Sequence, residues 1–160
     1  MKRKVLELLE ELKVEYEYLE HEPATTMQDL EDIDKKTGAV YLKNLFLRNA
    51  NGKTHYLVVV CGDKRVDLKK LAGEIGSSRL SFGSDERLLK HLKLMKGSVG
   101  PFGLLNDENK IVITVLDKEI IGKPRISFHP NDNAATVIIS YSSLKKYLDH
   151  IKAKVCFAKL

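Results

Sequence analysis

Residues 41–61 read YLKNLFLRNANGKTHYLVVVC. Two apolar runs, Tyr41 to Leu47 and His55 to Cys61, flank a polar segment containing Asn51-Gly52. An Asn-Gly pair accepts the positive φ angles of a tight chain reversal at little cost, so the pattern predicts a β-hairpin. Both runs are apolar on both faces, which is the signature of strands covered from two sides. The first run carries an anomaly. Side chains alternate along a strand, so Lys43 shares a face with Tyr41, Leu45 and Leu47, while Asn44 shares the other with Leu42 and Phe46. An adjacent lysine and asparagine at the centre of such a strand require partners, a cleft or an open edge.

Outward from the hairpin, helices and strands intersperse. Val5, Leu8, Leu9 and Leu12 recur at helical spacing within residues 2–13, and a short strand fits Tyr16 to Glu20. Thr25 or Thr26 can cap a helix carrying Met27, Leu30 and Ile33, with Gly38 to end it. After Cys61, a turn leads to a helix through Val66, Leu68, Leu71, Ala72 and Ile75, and Ser84 can cap a further helix, DERLLKHLKLM. Ile111 to Leu116 and Ala135 to Ser140 are β-branched strands, with a weaker one near Arg125 to Phe128. Ser142 or Ser143 starts a last helix, LKKYLDHI. The sum is a mixed α/β domain with a central, partly antiparallel sheet, and the lack of strict βαβ alternation argues against a doubly wound nucleotide-binding fold.

The 160 residues fit one domain, residues 1–160, with a core of its own. A composition of 43% hydrophobic and 31% charged residues excludes a disordered chain, and no apolar run approaches the ~20 residues of a membrane span. The N-terminal MKRKVLELLEEL places Glu where a signal peptide would be apolar, so a cytoplasmic protein without membrane association is expected. Cys61 and Cys156 lie far apart and read as free thiols. The net charge of +5 permits a polyanionic partner, and basic residues gather at Lys64, Arg65, Lys69 and Lys70 and at Lys90, His91, Lys93 and Lys96, although solvated helix faces are the simpler explanation of such clusters.

Familiar catalytic patterns are missing: there is no Gly-rich phosphate loop, no zinc-type histidine pair and no serine or cysteine triad, and no cofactor or metal is expected. Cys61, at the end of a Val-rich run, reads as a small buried hydrophobe. GSVGPFG, residues 97–103, is more informative. Gly97, Gly100 and Gly103 around Pro101 let the backbone approach a ligand and aim several amides into one concavity, although a plain connecting turn would show the same residues. In FHPNDNAATVIIS, Pro130 keeps His129 out of helical geometry, and Asn131, Asp132 and Asn133 bring hydrogen-bonding groups to a strand entrance.

Taken in order, HEPATTMQD, YLKNLFLRN, YLVVVCGDKRVDLKKLA, GSVGPFGLLND and FHPNDNAATVIIS resemble the YbaK/ProX family of free-standing prolyl-tRNA editing proteins, nearest its ProX branch. The resemblance implies a mixed sheet of about six or seven strands surrounded by helices. It implies a pocket for the 3′-terminal adenosine of tRNA and its esterified amino acid, bordered by a strand lysine, Lys43, and a Gly-x-x-x-Pro loop formed by Gly97, Ser98, Val99, Gly100 and Pro101. It further implies ester hydrolysis by water, with the loop amides around Ser98 to Gly100 receiving the carbonyl oxygen. Lys43 would fix the substrate, and His129, Asn133, Asn44, Phe102, Gly103, His21 and Thr26 would line the pocket. The general base is unassigned. The implied substrate is alanine mischarged on proline tRNA, with Cys- or Ser-charged tRNA as alternatives, and prolyl-tRNA synthetase is a possible partner. A tRNA-binding or regulatory module of the same fold, without turnover, is the competing reading from another class.

Overall fold

The computed structural model describes residues 2–22, 36–62, 64–131 and 134–160. The elements are α1 (Lys2–Glu11), β1 (Glu17–Glu20), β2 (Val40–Arg48), β3 (His55–Cys61), α2 (Leu68–Ile75), β4 (Ser81–Phe82), α3 (Asp85–Leu92), β5 (Val112–Asp117), β6 (Ile126–Phe128), β7 (Ala135–Ile139), α4 (Tyr141–His150) and β8 (Lys154–Ala158). Short 3-10 turns occupy Pro101–Asn106 and Lys118–Ile120.

The hairpin forms where residues 41–61 predict it. β2 and β3 pair antiparallel from Leu42↔Cys61 to Arg48↔His55, and the loop closes with Gly52 at φ +70° and its amide donating to the Asn49 carbonyl at 3.1 Å. Every residue of β3 is buried, as its uninterrupted apolar run requires. The strand order is β1-β7-β6-β2-β3-β5-β8, with β4 also paired to β2. β2 runs parallel to β6, β3 to β5 and β5 to β8, and the other pairs are antiparallel, so the sheet is mixed as expected.

The alternation of β2 and β3 splits the interior in two. Leu42, Phe46, Leu57, Val59 and Cys61 face a first core filled by Val5 and Leu9 of α1, Leu88 and Leu92 of α3, and Leu144, Tyr147 and Leu148 of α4. Leu47, Val58 and Val60 face a second core against Leu71 and Ala72 of α2. Each such aliphatic side chain removed from water contributes about 1.5–3 kcal/mol before entropy is subtracted, so this double burial makes the hairpin the centre of the fold.

Caps behave as their chemistry dictates, with one shift. Asp67 accepts from the Lys69 and Lys70 amides, and Ser84 from that of Arg87. α4 starts earlier than expected: Ser140, not Ser142 or Ser143, is the N-cap, because β7 ends at Ile139 and the Ser140 hydroxyl is free to accept from the Ser143 amide. α3 stops at Leu92, where Lys93 turns left-handed at φ 54°, short of the run through Met95. Among the described residues the sheet has eight strands against the expected six or seven; β4, of two residues, and β8 lie where the sequence pattern predicts no strand. The expected helix around Met27 to Ile33 lies outside the described residues. Among the described residues no helix is long and apolar enough to cross a membrane.

Candidate active site

β2 has different neighbours at its two ends. Its start pairs with β6, Val40↔Ile126 and Tyr41↔Ser127, and its end with β4, Leu47↔Phe82 and Arg48↔Ser81. Among the described residues no strand lies along that edge between Tyr41 and Leu47. Lys43 and Asn44 sit in this gap. The polar pair therefore marks a break in the sheet, where the cost of burying polar groups is lowest.

The two residues use opposite faces. Asn44, on the side of the first core, donates its amide to the Leu42 carbonyl at 3.2 Å, and its buried Oδ1 has no hydrogen-bond partner among the described residues. The register runs through Asn44 without a bulge. Lys43 is half-buried on the side of Leu45 and Leu47, and its ammonium donates to the Lys64 carbonyl at 2.6 Å.

The glycine segment ends beside the point where β6 leaves β2. Gly97 has φ +96°, a left-handed geometry that suits glycine, and the Ser98 amide donates to the Met95 carbonyl at 3.0 Å. Val99 packs on the first core. Gly100 is extended and buried, and a side chain there would lie 3.7 Å from the His129 carbonyl, so loop and histidine segment touch. Pro101 starts the 3-10 turn. Phe102 is fully buried, edge-on to Phe128 at 5.9 Å and to Tyr147 at 5.1 Å. Gly103 packs so closely on Leu94 that a Cβ would sit 2.4 Å from its Cδ1. Phe102 and Gly103 thus serve the packing beneath the loop.

His129 donates from Nδ1 to the Ala135 carbonyl at 2.9 Å, which places a hydrogen on that nitrogen. His21 lies beside it, with ring centroids 6.4 Å apart. His21 continues the β1–β7 ladder through its amide to the Ala134 carbonyl at 2.9 Å. Its ring donates from Nδ1 to the Glu22 carbonyl at 2.7 Å, leaving Nε2 to accept from the Thr136 hydroxyl at 2.8 Å. Thr26 and Asn133 lie outside the described residues.

Three residues with structural roles here escaped the sequence reading as members of the site. Tyr147 donates its hydroxyl to the Pro101 carbonyl at 2.8 Å from full burial, which also raises its pKa. Asn131, left-handed at φ 63°, donates to the Phe102 carbonyl at 3.3 Å. Thr136 orients His21. Tyr147 looked like one more apolar stripe position of its helix; Asn131 carried a signal in Pro130-Asn131, a turn residue tolerant of positive φ.

Cys61 is buried and its thiol pKa is raised by that burial, the reverse of what a nucleophile needs. Of the two basic stretches, Lys64 is engaged with Asp117 and Glu119, each at 2.9 Å, whereas Lys69, Lys70, Lys90, Lys93 and Lys96 are exposed.

Comparison with known proteins identifies the family. Residues 21–147 match the aminoacyl-tRNA editing domain family. The chain is 50% identical to the prolyl-tRNA editing protein ProX of Acetoanaerobium sticklandii over 91% of its own length and 88% of the relative's. It is 32% identical to the prolyl-tRNA synthetase associated domain-containing protein 1 of Xenopus laevis, over 86% and 83% of the two chains. A crystal structure described as a candidate trans-editing enzyme for prolyl tRNA synthetase superposes with a TM-score of 0.71 at 22% identity, covering 99% and 96% of the chains, and so shares the fold. The chain therefore belongs to the aminoacyl-tRNA editing domain family, and its enzyme class is aminoacyl-tRNA deacylase.

Proposed function

We propose that this chain acts as one free-standing editing domain, residues 1–160, that hydrolyses the ester of alanine mischarged on proline tRNA. The observation that supports the site is the approach of Gly100 to the His129 carbonyl, one residue past the end of β6, whose pairing with β2 stops at Tyr41, two residues before Lys43. The half-identical ProX relative supports the tRNA species.

An aminoacyl ester is already activated, so the site has three tasks: to orient the ester, admit water and stabilise the oxyanion. In this reading the amides of Val99 and Gly100 donate to the carbonyl oxygen, while the Ser98 amide, held by the Met95 carbonyl at 3.0 Å, fixes the turn before them. Tyr147 and Asn131 hold the carbonyls of Pro101 and Phe102 from beneath, which keeps the loop from relaxing onto its own groups. Lys43 has three ammonium hydrogens, one of them on the Lys64 carbonyl, and offers the others to the substrate. The unpartnered Asn44 Oδ1 is an acceptor for a substrate or water donor. His129 and His21 border the side that receives the aminoacyl end, to which the family resemblance adds Asn133 and Thr26. Selection is steric and therefore coarse, since each methylene difference is worth only ~1–3 kcal/mol.

The test is a panel of proline tRNA charged with Ala, Cys, Ser or Pro. Fastest release of alanine is expected. Faster release of Cys or Ser would reassign the substrate, and binding without release in any arm would make the protein a tRNA-binding module.

A further inference from the structure

Lys43 is held from behind by a chain of contacts that starts at a buried carboxylate on another strand. Asp117, at the end of β5, has only 1% of its side chain exposed, and it collects three donors: the Cys61 amide at 3.1 Å, the Glu119 amide at 3.1 Å and the Lys64 ammonium at 2.9 Å. The same ammonium reaches Glu119 at 2.9 Å and the Leu160 carbonyl at 3.2 Å. Lys64 itself lies between β3 and α2, in a segment that is neither helix nor strand. Its ammonium is thus tied to three oxygens, and its carbonyl takes the Lys43 ammonium at 2.6 Å.

We infer that Lys64, locked by Asp117, is a positioning residue for Lys43. The inference rests on the reading of Lys43 given under the proposed function. A lysine has four rotatable side-chain bonds and loses much rotamer freedom when fixed, so one substrate contact would order it poorly. A carbonyl already in place meets part of that cost before the substrate arrives. That carbonyl belongs to an irregular segment and would drift without an anchor. The anchor is a buried charge, and a carboxylate so enclosed strongly favours keeping its cation. The functional consequence is that the Asp117–Lys64 pair sets where the Lys43 ammonium stands, without touching substrate.

The experiment is a double-mutant cycle on deacylation of Ala-charged proline tRNA, using the full chain. Lys64→Met keeps the aliphatic stem and removes the ammonium. It should lower kcat roughly 10- to 100-fold, the scale of a misplacement near 1 Å, with KM changed less than about threefold. Lys64→Arg should recover most of the rate because it can still pair with Asp117. In a Lys43→Ala background, Lys64→Met should add nothing. In protein carrying 15N-lysine, the Lys43 ammonium resonance should shift on Lys64→Met. If Lys64→Met fails to fold, Lys64→Leu, which also offers Asp117 no donor, serves in its place. A wild-type rate for the Lys64 variant, or an additive loss in the Lys43→Ala background, overturns the inference and leaves the proposed function standing. An unimpaired Lys43→Ala protein would instead refute the reading of Lys43 itself.

Discussion

The hydroxyl of Tyr147, on α4, donates to the carbonyl of Pro101 at 2.8 Å, tying the last helix of the fold to the glycine loop. Tyr147 is wholly buried, so this carbonyl has no water to turn to if the hydroxyl is removed. Tyr147→Phe should destabilise the protein by about 1–3 kcal/mol, visible as a lower Tm, and deacylation should weaken as the loop loosens. An unchanged Tm would mean that the loop holds its shape without this bond.

Lys43→Ala should reduce deacylation by about 10- to 100-fold, the range for losing a hydrogen bond from a charged donor. Lys43→Arg should not restore it fully, because a planar guanidinium cannot place a point charge where the Lys64 carbonyl now holds the ammonium. Single-turnover rates with the three proteins measure both effects. Equal rates for wild type and Lys43→Ala would remove the lysine from the mechanism.

The loop glycines should separate into a packing position and an open one. A methyl at Gly103 would meet Leu94 Cδ1 at 2.4 Å and Leu92 Cβ at 3.4 Å, so Gly103→Ala should cost about 1–3 kcal/mol in urea unfolding. At Gly100, with φ −174° and its nearest contact 3.7 Å away, Gly100→Ala should leave stability within about 0.5 kcal/mol of wild type. A loss of deacylation in Gly100→Ala without loss of stability then reports on substrate approach to the loop.

His55 should make the protein acid-sensitive. It is 3% exposed, stacks on Phe46 at 5.6 Å, and lies against Arg87, whose guanidinium can only donate to its Nε2 at 3.0 Å. Burial first, then the charges of His91, Arg87, Arg48 and Lys90, push its pKa from 6.5 to about 4. The unfolded chain takes up this proton near pH 6.5 and the folded one only near 4, so stability is undiminished above that window and falls as pH drops through it. The loss approaches about 3 kcal/mol at the lower end, at about 1.4 kcal/mol per pKa unit. His91, 4.3 Å away by ring centroids and also shifted down by burial, adds in the same direction. Urea titrations at pH 7.5 and 5 should show the loss in wild type and a smaller one in His55→Gln. An equal loss in both would place the acid sensitivity elsewhere.

Residues 41–61 by themselves determined the centre of the fold, because a doubly apolar pair of strands joined by Asn-Gly has one economical arrangement, and side-chain alternation placed Lys43 and Asn44 on opposite faces before any coordinates. Local chemistry likewise placed Ser84 as a cap. The glycines and prolines of residues 97–103 marked a special loop for the same reason: backbone freedom is written in residue type. What only the tertiary structure decided are the relations between distant segments. The gap along β2 exists because β6 and β4 pair with different ends of it, and pairing of that kind depends on register, not on local pattern. Tyr147 beneath Pro101 and Asp117 behind Lys64 are contacts across 46 and 53 residues of chain, and each is made by a residue whose type is as common in structural roles as in functional ones. A hydrogen bond between remote residues leaves no periodicity to read, so the supports of the site became visible only once the sheet had brought them together.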